Sequence, residues 1–332
     1  MSVEILVDFQ GAWGLGDLLC ADPLIEGLWE RHPGARILLR GKVGNLIHNP
    51  RVAGMADGFA KPDLVVPVRL FTHMDRDAYA ELEALPSLVG HLCSYGGVDP
   101  RGRRPRAHLG PKERAVAASI PLKNGRAIAI CADHLDPLRH WPVERWHLVA
   151  RTLAGEGWQI VEVGTHDRLG VGLDLVGQIG VRETAAVLER CLLFLGNNSG
   201  LFHYAQAVDT PCVVLFSLAW PQRFVHEGAV VHCVTADDIP CLYCMTRCFS
   251  AMQRTGCRAE PRGRCMLEIS VERVLEAAEA ALKVLRMAGG GAALAPAGQL
   301  RPAGSQGEDP REIPGSSRVR PETAPAMRRS PW

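Results

Sequence analysis

Short apolar runs alternating with stretches of helical periodicity confine this chain to one class of fold. Runs at Glu4–Asp8, Arg36–Leu39, Leu64–Val68, Ala127–Cys131, Gln159–Val163, Leu192–Leu195 and Cys212–Phe216 are four or five residues long and rich in Val, Ile, Leu, Ala and Phe. Between them lie helical patterns at Asp17–Arg31, Val143–Ala154, Thr184–Arg190 and Gly200–Val208. A last pattern, Val271–Leu285, is amphipathic, with Val274, Leu275, Ala278, Ala281, Leu282 and Leu285 at helical spacing. Strands that read as nearly continuous apolar runs are covered on both faces, so the order predicts an α/β protein built from βαβ units around parallel sheets. Two such halves meet near "SIPLKNGR", which predicts domains over 1–122 and 123–287. Open parallel sheets bind ligands beyond the carboxyl ends of their strands. That rule places the active site in the cleft between the halves.

The composition narrows the partners and the compartment. The 332 residues are 47% hydrophobic, enough for two cores, and carry 37 basic against 36 acidic side chains. Such a balance gives no electrostatic reason to expect a nucleic-acid partner. The opening "MSVEILVDFQ" has neither the basic segment nor the apolar run of a secretory signal, and no stretch approaches the roughly 18 apolar residues of a membrane span. A cytoplasmic protein is expected, with its 11 cysteines mostly reduced. Cys20, Cys93, Cys131, Cys191 and Cys212 sit among apolar neighbours and read as small buried hydrophobes. From Ala288 the composition collapses into Gly, Ala, Pro, Ser and Arg, so 288–332 reads as a disordered tail.

Two loops concentrate the polar residues that follow strands. "VDFQGAWGLGDLLCADPLI" leads from a strand through Gly11, Gly14 and Gly16 into a helix. A dinucleotide fingerprint would place a glycine where Leu19 stands and an acidic residue where the second strand ends in Leu39 and Arg40. NAD or NADP binding is therefore poorly supported. Asp17 falls at the helix start, where a carboxylate either caps free N–H groups or, in a cleft, takes a proton from a hydroxyl. Pro23 predicts a kink or break near residues 19–22. The second loop, "LLFLGNNSGLFHYAQAVDTPCVVLF", sets Asn197, Asn198, Ser199 and Gly200 at a helix start, with His203 one turn on. Backbone N–H groups and a hydroxyl there suit a phosphate or diphosphate. In "DPLRHWPVERW", Arg139 offers a forked cation to the same oxygens. Taken singly, Asp17 is as readily a cap, Arg139 a surface arginine and His203 a packed histidine.

Together these segments resemble glycosyltransferase family 9, the heptosyltransferases of lipopolysaccharide biosynthesis and their relatives. The motifs are G-L-G-D-x(5)-P, R-x-W-P-x(3)-W, and N-S-G-x-x-H followed by T-P-x-V-x-L-F, and the likeness covers about residues 3–285. It implies a GT-B fold, two Rossmann-like domains facing across a cleft. The first would bind the acceptor and the second a nucleotide sugar. It also implies an inverting single displacement with no cofactor required for catalysis. Asp17 matches the family's general base and Arg139 a basic donor-phosphate position, usually Lys. Asn198, Ser199, Gly200 and His203 match the donor loop and helix, and Gly14 and Gly16 line the acceptor side. ADP-heptose is the first donor the likeness suggests, with a lipid-linked glycan or a protein as acceptor. Work at the inner face of a bacterial membrane follows from such an acceptor. The family usually reads D-S-G or D-T-G where this chain has Asn198-Ser199-Gly200, which removes a charge near the donor.

The segment 233–268 holds "CLYCMTRCFSAMQRTGCRAEPRGRCM". Cys241, Cys244, Cys257 and Cys265 have a spacing suited to a tetrahedral thiolate site for structural zinc or iron, although Cys248 competes with Cys257, and reduced free thiols remain the plain alternative. Relatives that build large assemblies carry such a motif, which makes a homo-oligomer an expectation of the resemblance. Rival readings are a catalytically silent nucleotide-binding scaffold of the same fold, an NADP-dependent oxidoreductase, and a cysteine-based metal or redox sensor.

Overall fold

Each half of the chain builds its own all-parallel sheet. The structure, a computed structural model, describes residues 3–11, 14–57, 61–69, 86–247 and 256–287; the segment 288–332 and Cys248 lie outside them. The first sheet contains β1 (Glu4–Gln10), β2 (Arg36–Gly41), β3 (Val52–Met55) and β4 (Leu64–Arg69) in the order β3-β2-β1-β4. The second contains β5 (Ala127–Cys131), β6 (Gln159–Glu162), β7 (Leu173–Asp174), β8 (Leu193–Asn197), β9 (Cys212–Leu215) and β10 (Val231–Val234) in the order β10-β9-β8-β5-β6-β7. All seven expected strands are present within two residues of their predicted bounds. The central ones are buried along nearly their whole length, as their unbroken apolar runs require.

The helices fill both faces. α1 (Leu15–Leu19) stops at Cys20, and α2 (Asp22–Arg31) starts with Pro23 in its first turn, so the break expected at this proline is observed. α3 (Leu88–Ser94) and α4 (Pro111–Ser119) follow, then α5 (Val143–Gly155), which begins after Pro142 and buries Trp146, Val149, Ala150 and Leu153 at helical spacing. α6 (Val181–Leu188) begins a turn before the predicted Thr184, because Gly180 supplies an extended start. α7 (Gly200–Ala207) buries Phe202, His203, Tyr204, Ala205 and Gln206. The C-terminal helix, Val271–Met287, lays Val274, Ala278, Ala281, Leu282 and Leu285 onto α5 and the β8–β10 side of the second sheet. Its approach is fixed by Ile269, whose carbonyl accepts from Trp141 Nε1 at 3.0 Å and Arg145 Nη1 at 2.8 Å.

Sequence reading missed β3, β7, β10, α3 and α4. β3 and β10 are edge strands with mixed burial and contain Gly, His or Cys, so they lack the apolar run that betrays a central strand. α4 buries only Ala117 and has no apolar stripe to read.

Both halves belong to one compact unit. α4 packs against α6, where Arg182 Nε meets Glu113 Oε1 at 2.7 Å and the Arg182 guanidinium donates to the His108 carbonyl at 3.0 Å. Elsewhere Arg223 donates to the Pro86 carbonyl at 2.6 Å, and the Gly102 N–H donates to Glu227 at 2.8 Å.

Candidate active site

Strand order reverses between β5 and β8, the place where open parallel sheets leave a crevice. Asn197 ends β8, and Asn198, Ser199 and Gly200 lead from it into α7. Asn197 Nδ2 donates to the Ala132 carbonyl at 3.0 Å, tying this loop to the end of β5. The Asn198 N–H donates to Leu215 O at 3.2 Å. Asn198 Nδ2 and Ser199 Oγ are buried without a hydrogen-bond partner among the described residues, although the Ser199 hydroxyl stands beside the Cys131 thiol. Polar atoms left over at a helix start are what a bound anion would use.

The β5 end supplies a support that sequence reading passed over. The Asp136 N–H donates to His134 Nδ1 at 2.9 Å, so Nε2 carries the ring proton and donates to the Asn198 carbonyl at 3.0 Å. Burial first, then the Arg139 charge, hold this imidazole down at about 4, so it stays neutral. Arg139 ends a 3-10 turn, Pro137–Arg139, and its Nε contacts Asp136 Oδ2 at 3.2 Å. That contact leaves most of the guanidinium fork for another anion.

The first loop faces this assembly. The Gly14 N–H donates to Asp17 Oδ2 at 3.1 Å, so the capping role considered for Asp17 is present. Burial pushes its carboxyl above the ordinary value, against the opposing pull of that N–H and of Arg139. Asp17 and Arg139, 122 positions apart in the chain, thus share one electrostatic environment. Gly16 is a point of close approach between the halves: a Cβ there would lie 2.6 Å from His203 Cδ2 and 3.1 Å from Gly200 Cα. Gly16→Ala is expected to lower stability by roughly 1–3 kcal/mol through overpacking, read as a reduced thermal midpoint.

His203 is buried, only 4% exposed, and its Nδ1 lies 3.3 Å from Cys20 Sγ and 3.1 Å from His226 Nε2. Burial holds His203 down at about 4. Two carboxylates unmarked in the sequence shape the loops beyond β5 and β6. Asp133 accepts from the backbone N–H groups of Thr165, His166 and Asp167. Glu162, 1% exposed, accepts from those of Leu169, Gly170, Val171 and Gly172 at 2.7–3.1 Å. Arg40, which stands where a dinucleotide fingerprint would place an acidic residue, is paired with Asp8 at 2.8 Å.

The four-cysteine motif is only partly assembled. Cys265 is buried, and its thiol is pushed up to about 11 by burial and by the nearby Cys241 and Cys257 thiols. The Gly263 N–H donates to Cys257 Sγ at 3.4 Å, as backbone groups do toward thiolates. The donor set fits zinc or iron. Among the described residues, however, the one close-set group of three metal-ligating side chains is Cys20, His203 and His226.

The family model described as "Glycosyltransferase family 9 (heptosyltransferase)" matches residues 52–255, more than half of the chain. The chain belongs to glycosyltransferase family 9. Lipopolysaccharide heptosyltransferase 2 of Salmonella typhimurium is 23% identical over 158 residues, 42% of either chain. The chain spans a little under half the length of the curated relatives it matches. Solved structures align over more of it. The family 9 glycosyl transferase of Veillonella parvula gives a TM-score of 0.64 at 18% identity, covering 86% of this chain and 99% of that one. Iron-containing dodecameric heptosyltransferase TibC in complex with ADP-D-beta-D-heptose gives 0.68 at 16% identity, covering 86% and 78%. The fold is accordingly the GT-B arrangement of two Rossmann-like halves across a cleft.

Proposed function

We propose that this family 9 member is an inverting glycosyltransferase that moves heptose from ADP-heptose to a hydroxyl of a lipopolysaccharide-type or other glycan acceptor. The observation that supports it most is the packing of the Asp17 helix against the start of α7 across the two halves, with Gly16 set against Gly200 and His203. The acceptor O–H gives its proton to the Asp17 carboxylate while its oxygen bonds to the sugar C1. The bond from C1 to the diphosphate oxygen breaks with its electron pair, and ADP departs. Arg139, the Asn198 side-chain amide, the Ser199 hydroxyl and the N–H groups at the Gly200 start of the His203 helix receive the negative charge that develops on that oxygen. Gly14 and Gly16 border the acceptor side, and the halves divide near residue 122. A lipid-linked acceptor would be met at the inner face of a membrane; among the described residues no helix is long and apolar enough to cross one.

Cys241, Cys244, Cys257 and Cys265 would hold a structural zinc or iron ion that braces their loop, and the chain would form a homo-oligomer; TibC, iron-containing and dodecameric, supports both. Metal content and mass of the purified chain test this part separately.

Thermal stability of the full chain against ADP, UDP, GDP and NADP tests the donor. At about one hundred times its dissociation constant a ligand raises stability by roughly 2.7 kcal/mol. ADP alone is expected to do so. A UDP or GDP response would replace the donor, and an NADP response would sink the reading. Arg139→Ala removes a charged hydrogen-bonding partner worth about 1.5–3 kcal/mol, so ADP affinity should fall roughly 10- to 100-fold by calorimetry. A catalytically silent scaffold, the reading suggested by Asn198, would bind ADP and transfer nothing.

A further inference from the structure

We propose that Cys20, His203 and His226 form a binding site for a divalent cation of the zinc class, which clasps the helix bearing Asp17 to the helix bearing His203. Cys20 follows α1 in the first half, His203 lies on α7, and His226 follows β9 in the second half. The two nitrogens and the sulfur are mutually 3.1, 3.3 and 3.5 Å apart. The point equidistant from three atoms so spaced lies about 1.9 Å from each, whereas zinc takes nitrogen at roughly 2.0–2.1 Å and sulfur at roughly 2.3 Å. An ion held by all three therefore sits slightly off their plane, as three of four tetrahedral ligands require.

Hydrogen bonding alone does not account for the triangle. Each imidazole nitrogen offers a single in-plane site, either a proton or a lone pair. At most two of the three contacts can then be straight hydrogen bonds, while one central cation uses a lone pair from every corner. The donor set agrees with a borderline-soft ion, since one thiolate and two imidazoles suit zinc better than magnesium or calcium. Binding exchanges one proton for the ion: the Cys20 S–H bond breaks, a sulfur–metal bond forms, and H⁺ leaves to solvent. His226 also lines a surface hollow with Arg103, Val225 and Glu227.

The site is distinct from the four-cysteine motif in residues and in ligand type, and the test uses that difference. The full chain is loaded with Co²⁺ alone and examined by proton NMR. Two hyperfine-shifted, exchangeable imidazole N–H signals are expected, because a four-thiolate site contains no imidazole; their absence overturns the proposal. In parallel, zinc retained after dialysis is counted for the wild type, Cys20→Ala, His226→Asn and the Cys241→Ser/Cys244→Ser double variant. One equivalent should vanish in Cys20→Ala and His226→Asn and persist in the double variant. Equal zinc in the wild type and in both triad variants rejects the site. Should either triad variant fail to fold, the cobalt spectrum of the unaltered chain still decides.

Discussion

Asp17→Asn should reduce glycosyl transfer by roughly 100- to 10,000-fold, the usual contribution of a positioned general base. The amide oxygen can still accept the Gly14 N–H that Asp17 Oδ2 accepts at 3.1 Å, so helix start and fold are preserved while basicity is lost. ADP affinity should change little, because in the proposed reaction the carboxylate acts on the acceptor. Asp17→Ala removes the cap as well and should cost about 1 kcal/mol more in stability. The linkage has a definite sign. Burial raises the folded carboxyl above its unfolded value, so the ionised Asp17 opposes folding once the pH exceeds the unfolded value. Asp17→Asn should thus be as stable as the wild type at neutral pH or more so, an inactive yet sturdier protein. The acid limb of the wild-type pH–rate profile should lie above the ordinary Asp range near 3.8 and disappear in the variant. Transfer within threefold of wild type in Asp17→Asn would remove Asp17 from the reaction.

Glu162→Ala should be the most destabilising of the substitutions considered, by roughly 3–5 kcal/mol, because it strips a buried acceptor from four backbone donors. Glu162 ends β6, and its two oxygens take the N–H groups of residues 169–172. Burial pushes its carboxyl up, yet the four N–H groups outweigh burial and the net shift is downward. A carboxyl lowered in the folded state contributes stability above its unfolded value and loses it as the pH falls through the folded value. The wild type should therefore keep this contribution down to about pH 4.5 and lose it below, whereas Glu162→Ala shows no such component. Glu162→Gln keeps the shape but turns an amide N–H₂ toward backbone donors, so an intermediate loss is expected. Denaturant unfolding of the three proteins at pH 7 and pH 4 checks both statements; equal midpoints would mean the loop finds other partners.

The fold class was legible because a central parallel strand must be apolar on both faces, and runs such as "AIAIC" and "CVVLF" have few other uses. Pro23 announced the break between α1 and α2 for an equally local reason, its missing N–H. Edge strands such as β10 escaped, since one neighbour and partial exposure leave their residues free to be polar. The candidate site was legible only as separate motifs. Gly16, Asp17, Arg139 and the Asn198 loop are each common in sequence, and their order alone pointed to family 9.

What the sequence determined by itself is therefore what backbone periodicity and local turn chemistry dictate: two runs of βαβ units, their central strands, and the loops after β1 and β8. Tertiary structure decided everything that depends on distance between remote residues. It set Gly16 against Gly200 and brought the Arg139 charge to Asp17. It aimed His134 at the Asn198 carbonyl and gathered Cys20, His203 and His226 within hydrogen-bonding distance of one another. The physical reason is that burial, charge coupling and ligand convergence fall steeply with separation in space, a quantity that chain position does not encode.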